Sequence, residues 1–262
     1  MVRCRFEPSG RERMSTQLVP GHLLALGAPA QVAQQTADRI AEAVRRAVAA
    51  RGRAAIALSG GNTPRDAYAR LAQAPGMPWS NVRVFWVDER AVTPTSDRSN
   101  YRWAKATLLD PAQIPPTLVH RMPADRADLD VAAQEYERLI REQVQADDRN
   151  VPAFDGMVLG VGDDGHTASL FPGDPTVDIV DRLVVSVPPK AERNEARMTM
   201  TSPLLQAARE VFVLAVGAAK RQPLERVWNV HGDVHDTPAR VVRECRGAVT
   251  WIVDREAAGL TG

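Results

Sequence analysis

The stretch Met157-Val158-Leu159-Gly160-Val161-Gly162-Asp163-Asp164-Gly165-His166-Thr167-Ala168-Ser169-Leu170-Phe171-Pro172 decides how this chain reads. Its apolar opening predicts a buried strand over residues 157–161. A strand, then glycines, then a polar cluster is how an open α/β sheet presents chemistry at the carboxyl ends of its strands. Gly160, Gly162 and Gly165 let the backbone turn sharply and approach a ligand closely. His166 is the residue type suited to proton transfer near neutral pH, and Asp163 and Asp164 stand close enough in sequence to orient it. In isolation the same stretch is also a glycine-rich turn with a surface histidine. The rest of the chain separates the two readings.

Working outward, residues 32–50 place alanine, valine and isoleucine at helical spacing among charges and predict an amphipathic helix. A short apolar strand is expected over 54–58, a helix over 64–72, and a β-branched, aromatic strand over 82–87. Residues 99–109 read as helix, 118–121 as a short strand, and 129–145 as a long charged helix with Val131, Tyr136, Leu139 and Ile140 inward. Beyond the quoted stretch, strands are expected over 183–187, 211–216 and 249–253, an extended segment over 198–201, and helices over 203–209 and 220–229. Strands alternating with helices predict an α/β chain: a single domain with a doubly wound, mostly parallel sheet and helices on both faces.

Other polar stations fall in the connections. Ser59-Gly60-Gly61-Asn62-Thr63-Pro64 joins a strand to a helix. Thr63 is the expected N-cap and Pro64 the expected first helical residue. The glycines leave backbone N–H groups free to point at an anion, and the helix start adds a partial positive charge. The outline is a phosphate cradle without the lysine of a nucleotide P-loop. Val87-Asp88-Glu89-Arg90 ends the next strand, where Arg90 can contact a phosphate bidentately and Asp88 can hold a catalytic partner or a sugar hydroxyl. Ser99 is the expected cap of the helix that opens Ser99-Asn100-Tyr101. Arg197-Met198-Thr199-Met200-Thr201 and Gly217-Ala218-Ala219-Lys220 bring two more cations near strand ends.

Composition narrows the class. The chain has 262 residues, 44% of them hydrophobic, enough for a sizeable core. A formal net charge of +1 gives no electrostatic case for nucleic acid or an acidic membrane. Cys4 and Cys245 lie at opposite ends, without metal-ligand spacing, so a reducing cytoplasm is the expected setting. Met1 to Arg13 carries many charges and no apolar stretch, against an ordinary signal peptide, and no later run approaches membrane-spanning length. Residues 1–14 are expected to form a disordered extension, with Met14 an alternative start.

Taken together in this order, the cradle, the Val87–Arg90 and Ser99–Tyr101 stations, the stretch ending at Pro172, Arg197–Thr201 and Gly217–Lys220 resemble 6-phosphogluconolactonases of the glucosamine-6-phosphate isomerase/6-phosphogluconolactonase family. The resemblance runs from about Val32 to the last strand, and its most specific part is Asp164 to Pro172. Asn62 stands where the family often has serine. The resemblance implies a single sugar-phosphate lactonase domain over 15–262. It also implies hydrolysis of 6-phospho-D-glucono-1,5-lactone to 6-phosphogluconate, with no metal and no cofactor. The expected partner is the small sugar-phosphate lactone, with no nucleic acid and no membrane, and the expected state is a monomer or weak homodimer.

The residues agree with that chemistry. Lactone hydrolysis needs an activated water. His166 is the candidate general base, and Asp164 or Asp88 the residue that fixes its tautomer. Ser59, Gly60, Gly61, Asn62, Thr63, Arg90, Arg197 and Lys220 are the candidate substrate-binding residues, holding the phosphate away from the reacting carbon. No activated serine or cysteine pairing is apparent, which favours direct attack by water. The sugar-phosphate isomerase-deaminases of the same fold follow the histidine with an acidic residue next to a proline. Here Phe171 precedes Pro172 and carries no proton. A sugar-phosphate sensor would bring a helix-turn-helix ahead of the domain, and the residues before Val32 lack that pattern.

Overall fold

Short apolar runs set between helices fold into strands buried on both faces, as Ala54–Leu58 does at all five positions. The computed structural model describes residues 18–190 and 195–260. Residues 1–14, expected to form an extension, lie outside them. The elements run β1 (His22–Leu26), α1 (Pro29–Arg51), β2 (Ala54–Leu58), α2 (Asn62–Ala72), β3 (Val82–Trp86), β4 (Asp88–Arg90), α3 (Asn100–Ala104), α4 (Leu129–Gln143), β5 (Gly156–Gly160), β6 (Val184–Val187), β7 (Arg197–Met200), α5 (Ser202–Ala207), β8 (Glu210–Ala215), α6 (Arg221–Trp228) and β9 (Ala248–Asp254).

Six strands form one sheet in the order β1-β9-β8-β5-β2-β3, every neighbour parallel. The chain winds from β2 to β3 in one direction and from β5 through β8 to β9 in the other. With right-handed crossovers this sets helices on both faces and opens a crevice where the winding reverses, between the carboxyl ends of β2 and β5. The expected α/β, doubly wound, mostly parallel architecture is what forms. Trp86, Trp251, Phe85, Phe154 and Phe212 anchor its core, each at most 1% exposed.

A second sheet was not expected. β4, β7 and β6 pair antiparallel in the order β4-β7-β6. Asp88–Arg90 is therefore its own strand rather than the end of β3, and 183–187 and 198–201 do not join the parallel sheet. The register sets Asp88 opposite Thr199 and Arg90 opposite Arg197, so each pair projects from one face.

Other local departures have simple causes. α2 starts at Asn62 behind Gly61, whose φ of 112° only glycine adopts easily, so Gly61 rather than Thr63 is the N-cap. Pro64 then falls in the first turn, where its missing N–H costs nothing. The strand expected over 118–121 is reduced to a single parallel bridge from Val119 to Val84, with His120 N donating to Val84 O at 2.9 Å, after the 3₁₀ turn Pro116–Leu118. Ser99 caps α3 as expected, its hydroxyl accepting from Arg102 N at 3.2 Å. The helix then continues only as a π turn over Lys105–Leu109. On α4 the inward row is Ala132, Tyr136 and Ile140, spaced four apart, while Val131, one position off that row, is 42% exposed. β1 pairs with β9 ahead of the first expected helix.

Candidate active site

The cradle is built where β2 ends. Ser59 N donates to Tyr68 Oη at 3.0 Å, and Tyr68 Oη donates back to Ser59 O at 2.9 Å, so a buried side chain of α2 fixes the strand's exit. Ser59 is buried, and its Oγ has no partner among the described residues. Gly60 has to be glycine because a β-carbon there would lie 1.8 Å from Oδ1 of Asn100. Asn62 is exposed and Thr63 half-buried at the start of α2.

From the underside of Gly60, Asn100 reaches β4. Its Nδ2 donates to Asp88 O at 3.0 Å and Asp88 Oδ1 at 3.2 Å. Asp88 is buried, and its other oxygen accepts from Ser169 Oγ at 2.7 Å, with Arg197 Nη1 3.7 Å away. Glu89 projects from the opposite face of the strand. Its carboxylate accepts the N–H groups of Arg90, Asn100 and Tyr101 and the hydroxyl of Ser99, tying down the start of α3. Burial pushes the Glu89 carboxyl above its ordinary value, and these backbone bonds oppose that rise. Arg90 returns to the site face. Its Nη1 donates to Arg98 O at 2.5 Å, while its Nε is buried without a partner.

The loop after β5 carries the titratable pair. His166 Nδ1 lies 2.6 Å from Asp164 Oδ1, and the same oxygen accepts His166 N at 3.0 Å. Burial tends to raise the Asp164 carboxyl, but the two bonds from His166 win and hold it at about 2. An ionised Asp164 only accepts. Nδ1 therefore carries the proton, and Nε2 offers its lone pair. The pair lies directly over Gly162, whose N–H donates to His166 O at 2.8 Å. Phe171 packs on the imidazole with ring centroids 4.7 Å apart, and the Arg197 guanidinium sits 5.3 Å from the Phe171 centroid. Ala168, at φ 48°, turns the loop so that Ser169 reaches Asp88 and Ser169 N donates to Thr199 Oγ1 at 3.1 Å. Asp163 points away from His166 and takes Lys220 Nζ at 2.5 Å. The turn bearing Lys220 is fixed by Gly217 N donating to both oxygens of buried Asp254, each at 3.0 Å.

Cradle, imidazole loop and lysine turn thus leave β2, β5 and β8, three adjacent strands of the sheet. Asn100, Ser169 and the Asp163–Lys220 pair bind these stations to β4 and to one another. Of the two aspartates considered for His166, Asp164 makes the contact, and Asp88 bonds Ser169 and Asn100 instead. Tyr68, Ser169, Phe171 and Asn100 join the arrangement beyond the candidate residues. Asn100 and Ser169 stood inside stations already singled out, whereas nothing in the sequence marks Tyr68 as the residue that closes on Ser59. A surface groove of about 890 Å³ lies elsewhere, lined by Val177, Val230 and Asp233. It lies apart from Ser59–Thr63 and from the His166–Asp164 pair. Among the described residues no cluster of three or more His, Cys, Asp or Glu side chains is placed to hold a metal ion, and no helix is long and apolar enough to cross a membrane.

Comparison with known proteins bears on this geometry. Residues 27–251 match the family model described as glucosamine-6-phosphate isomerases/6-phosphogluconolactonase. A 6-phosphogluconolactonase from Synechocystis sp. is 40% identical over 214 residues, which cover 82% of this chain and 87% of the relative. One from Mycobacterium tuberculosis is 37% identical over 225 residues, covering 84% and 90%. The solved 6-phosphogluconolactonase of Trypanosoma brucei superposes with a TM-score of 0.82 at 28% identity, over 92% of this chain and 99% of that one. A monomeric glucosamine-6-phosphate deaminase, 18% identical with a TM-score of 0.79, shares the fold.

Proposed function

This chain belongs to the glucosamine-6-phosphate isomerase/6-phosphogluconolactonase family, and we infer from that membership and from its His166 loop that it is a 6-phosphogluconolactonase. It hydrolyses the ester of 6-phospho-D-glucono-1,5-lactone to give 6-phospho-D-gluconate, in the oxidative pentose phosphate pathway. The observation that carries the mechanism is the 2.6 Å contact between His166 Nδ1 and Asp164.

With Nδ1 protonated and bound to a permanent carboxylate, Nε2 takes a proton from water as that water attacks the lactone carbonyl carbon. A tetrahedral oxyanion forms. When it collapses, the bond from the carbonyl carbon to the ring oxygen breaks, and the imidazolium returns its proton to the departing oxygen. Atoms and charge balance without an acyl-enzyme. General-base assistance of this kind contributes about 10²–10⁴-fold. Asp164 stabilises the imidazolium that forms in the transition state. Phe171 holds the ring and carries no proton of its own, which favours hydrolysis over the isomerase-deaminase reaction.

In this reading Asp88 is not the histidine's partner. Bridging Ser169 and Asn100, it locks the imidazole loop to the cradle and keeps its charge near a sugar hydroxyl. The cradle at Ser59–Thr63, with Arg90, Arg197 and Lys220, holds the phosphate and so positions the ring. The setting we propose is the cytoplasm. Cys245 is a free thiol there, pushed up to about 12 by burial. The test supplies both candidate substrates. Lactone generated in place by glucose-6-phosphate dehydrogenase should be hydrolysed well above its spontaneous rate, while glucosamine 6-phosphate should release no ammonia. Ammonia release without lactonase activity would overturn the assignment.

A further inference from the structure

We propose that Arg65, whose guanidinium sits over the Trp103 ring, is a further phosphate-binding residue of this site, and that Trp103 positions it. The proposal rests on reading the cradle as the phosphate site and extends that site to residues outside the glycine turn. Arg65 stands in the first turns of α2, just beyond the cradle. Its guanidinium carbon is 3.7 Å from the centroid of the Trp103 ring, well inside the range of a cation–π contact. Trp103 is itself fixed, its Nε1 donating to Asp97 O at 2.7 Å. It belongs to α3, the helix whose Asn100 packs beneath Gly60.

The electrostatics are unusual for a stacking pair. Among the described residues Arg65 makes no hydrogen bond and no ion pair, and its Nε is buried without a partner. Burial lowers its affinity for the proton, and the neighbouring charges of Arg90 and Arg102 lower it further. Arg102 is paired with Asp97. Arg90 has no carboxylate partner among the described residues, and its Nε is likewise buried and unpartnered. Two guanidinium groups thus share one neighbourhood with unmet donors, and among the described residues neither is paired with a carboxylate. Unmet buried donors of this kind cost free energy, and an anion with several acceptor oxygens would satisfy them. A phosphate dianion fits, because a planar guanidinium can give it two parallel bonds while the start of α2 supplies backbone N–H groups. The aromatic face removes rotamer freedom from Arg65 beforehand, so less entropy is lost on binding.

The experiment compares Arg65→Gln, Arg65→Lys, Trp103→Leu and the double variant Arg65→Gln/Trp103→Leu. Each is assayed on the phosphorylated lactone and on glucono-lactone without phosphate, with folding checked by Tm. Arg65→Gln should raise KM for the phosphorylated substrate by about 10- to 100-fold with kcat little changed, and leave the other substrate unaffected. Arg65→Lys should recover part of that loss. Trp103→Leu should raise KM less, and adding it to Arg65→Gln should cost nothing more. Calorimetric binding of 6-phosphogluconate should weaken in step. If Arg65→Gln is neutral while Arg90→Ala loses phosphate dependence, Arg65 is only a stacked surface base and the proposal fails while the site reading stands. If both are neutral, the cradle is not the phosphate site and both fail. A loss of kcat shared by both substrates, with a lowered Tm, would mark Arg65 and Trp103 as structural and would also overturn the proposal.

Discussion

A β-carbon placed on Gly162 would fall 2.0 Å from Nδ1 of His166. The backbone at Gly162 and the imidazole occupy the space of one side chain, so the His166–Asp164 pair exists in this position only because residue 162 is glycine. The same β-carbon would stand 2.6 Å from Asp164 Oδ1, so neither member of the pair can yield without losing the contact.

Gly162→Ala should therefore lower kcat by about the full general-base contribution, roughly 10²–10⁴-fold, and change KM little. Gly162 does not adopt a positive φ, so the alanine imposes no backbone strain and the fold should survive. Steady-state kinetics beside a thermal melt check this. A variant with ordinary kcat would show that the pair need not sit where it does.

Asp164→Asn tests the tautomer. The amide can donate to Nδ1 and leave the proton on the wrong nitrogen, so turnover should fall by about 10²-fold or more. The pH dependence follows from the same contact. The Asp164 carboxyl is held at about 2 in the folded protein, below its ordinary 3.8. Its contribution to stability is thus present above its unfolded value and lost only as pH falls through about 2. Asp164 therefore stays ionised across any practical assay, and loss of activity on mild acidification should not come from Asp164.

His235 bridges Asp233 at 2.7 Å and Asp178 at 2.8 Å. It ties residues 229–237 to the segment that follows Phe171, and Ala239 N donates to Gly165 O at 2.9 Å. The bond to Asp233, then that to Asp178, raises the His235 pKa above its ordinary value. The sign is opposite to that of Asp164. This anchor is complete below the unfolded pKa and is lost as pH rises through the raised folded value. Because the groups are exposed the effect should be small and weakened by salt. Hydrogen exchange of 231–237, corrected for intrinsic rates, should quicken as pH rises through that raised value in the wild type. Asp178→Asn should already exchange faster at low pH. No difference between the two proteins would remove the bridge from the account.

Arg90→Ala and Lys220→Ala separate two kinds of cation. Arg90 faces Arg197 across β4 and β7, an arrangement of like charges that an anion between them would stabilise. Its loss should raise KM by about one to two decades for the phosphorylated lactone alone. Lys220 also holds Asp163 of the imidazole loop, so Lys220→Ala should raise KM and lower kcat together. Assays on lactone with and without the phosphate decide the matter. Equal losses on both substrates would mean that neither residue reads the phosphate.

The parallel sheet was legible because β2, β5 and β8 each hold a continuous apolar run with glycines close behind it, and burial on both faces leaves that mark. The antiparallel sheet was not. Asp88-Glu89-Arg90 has little strand propensity, and its pairing with Arg197–Met200 spans more than a hundred residues, a relationship no local pattern records. The same limit applied within the site. His166 and its glycines stood out as residue types, but the choice between Asp164 and Asp88 turns on which carboxylate reaches Nδ1 in space. Asn100 and Ser169 act by joining separate stations. Their roles belong to the packing and have no signature of their own. Thr63 was a reasonable cap by type and lost that role to Gly61, whose φ lets the helix begin earlier.

The central claim is that His166 supplies the base for lactone hydrolysis. The direct measurement is the rate of 6-phosphogluconate formation from freshly generated 6-phosphogluconolactone, above the spontaneous rate, for wild type and His166→Ala side by side, with 6-phosphogluconate binding measured on both. The account predicts rapid hydrolysis by the wild type and a loss of about 10²–10⁴-fold in kcat for the variant, with product affinity nearly unchanged because the phosphate contacts lie elsewhere. Hydrolysis by His166→Ala at close to the wild-type rate would contradict it.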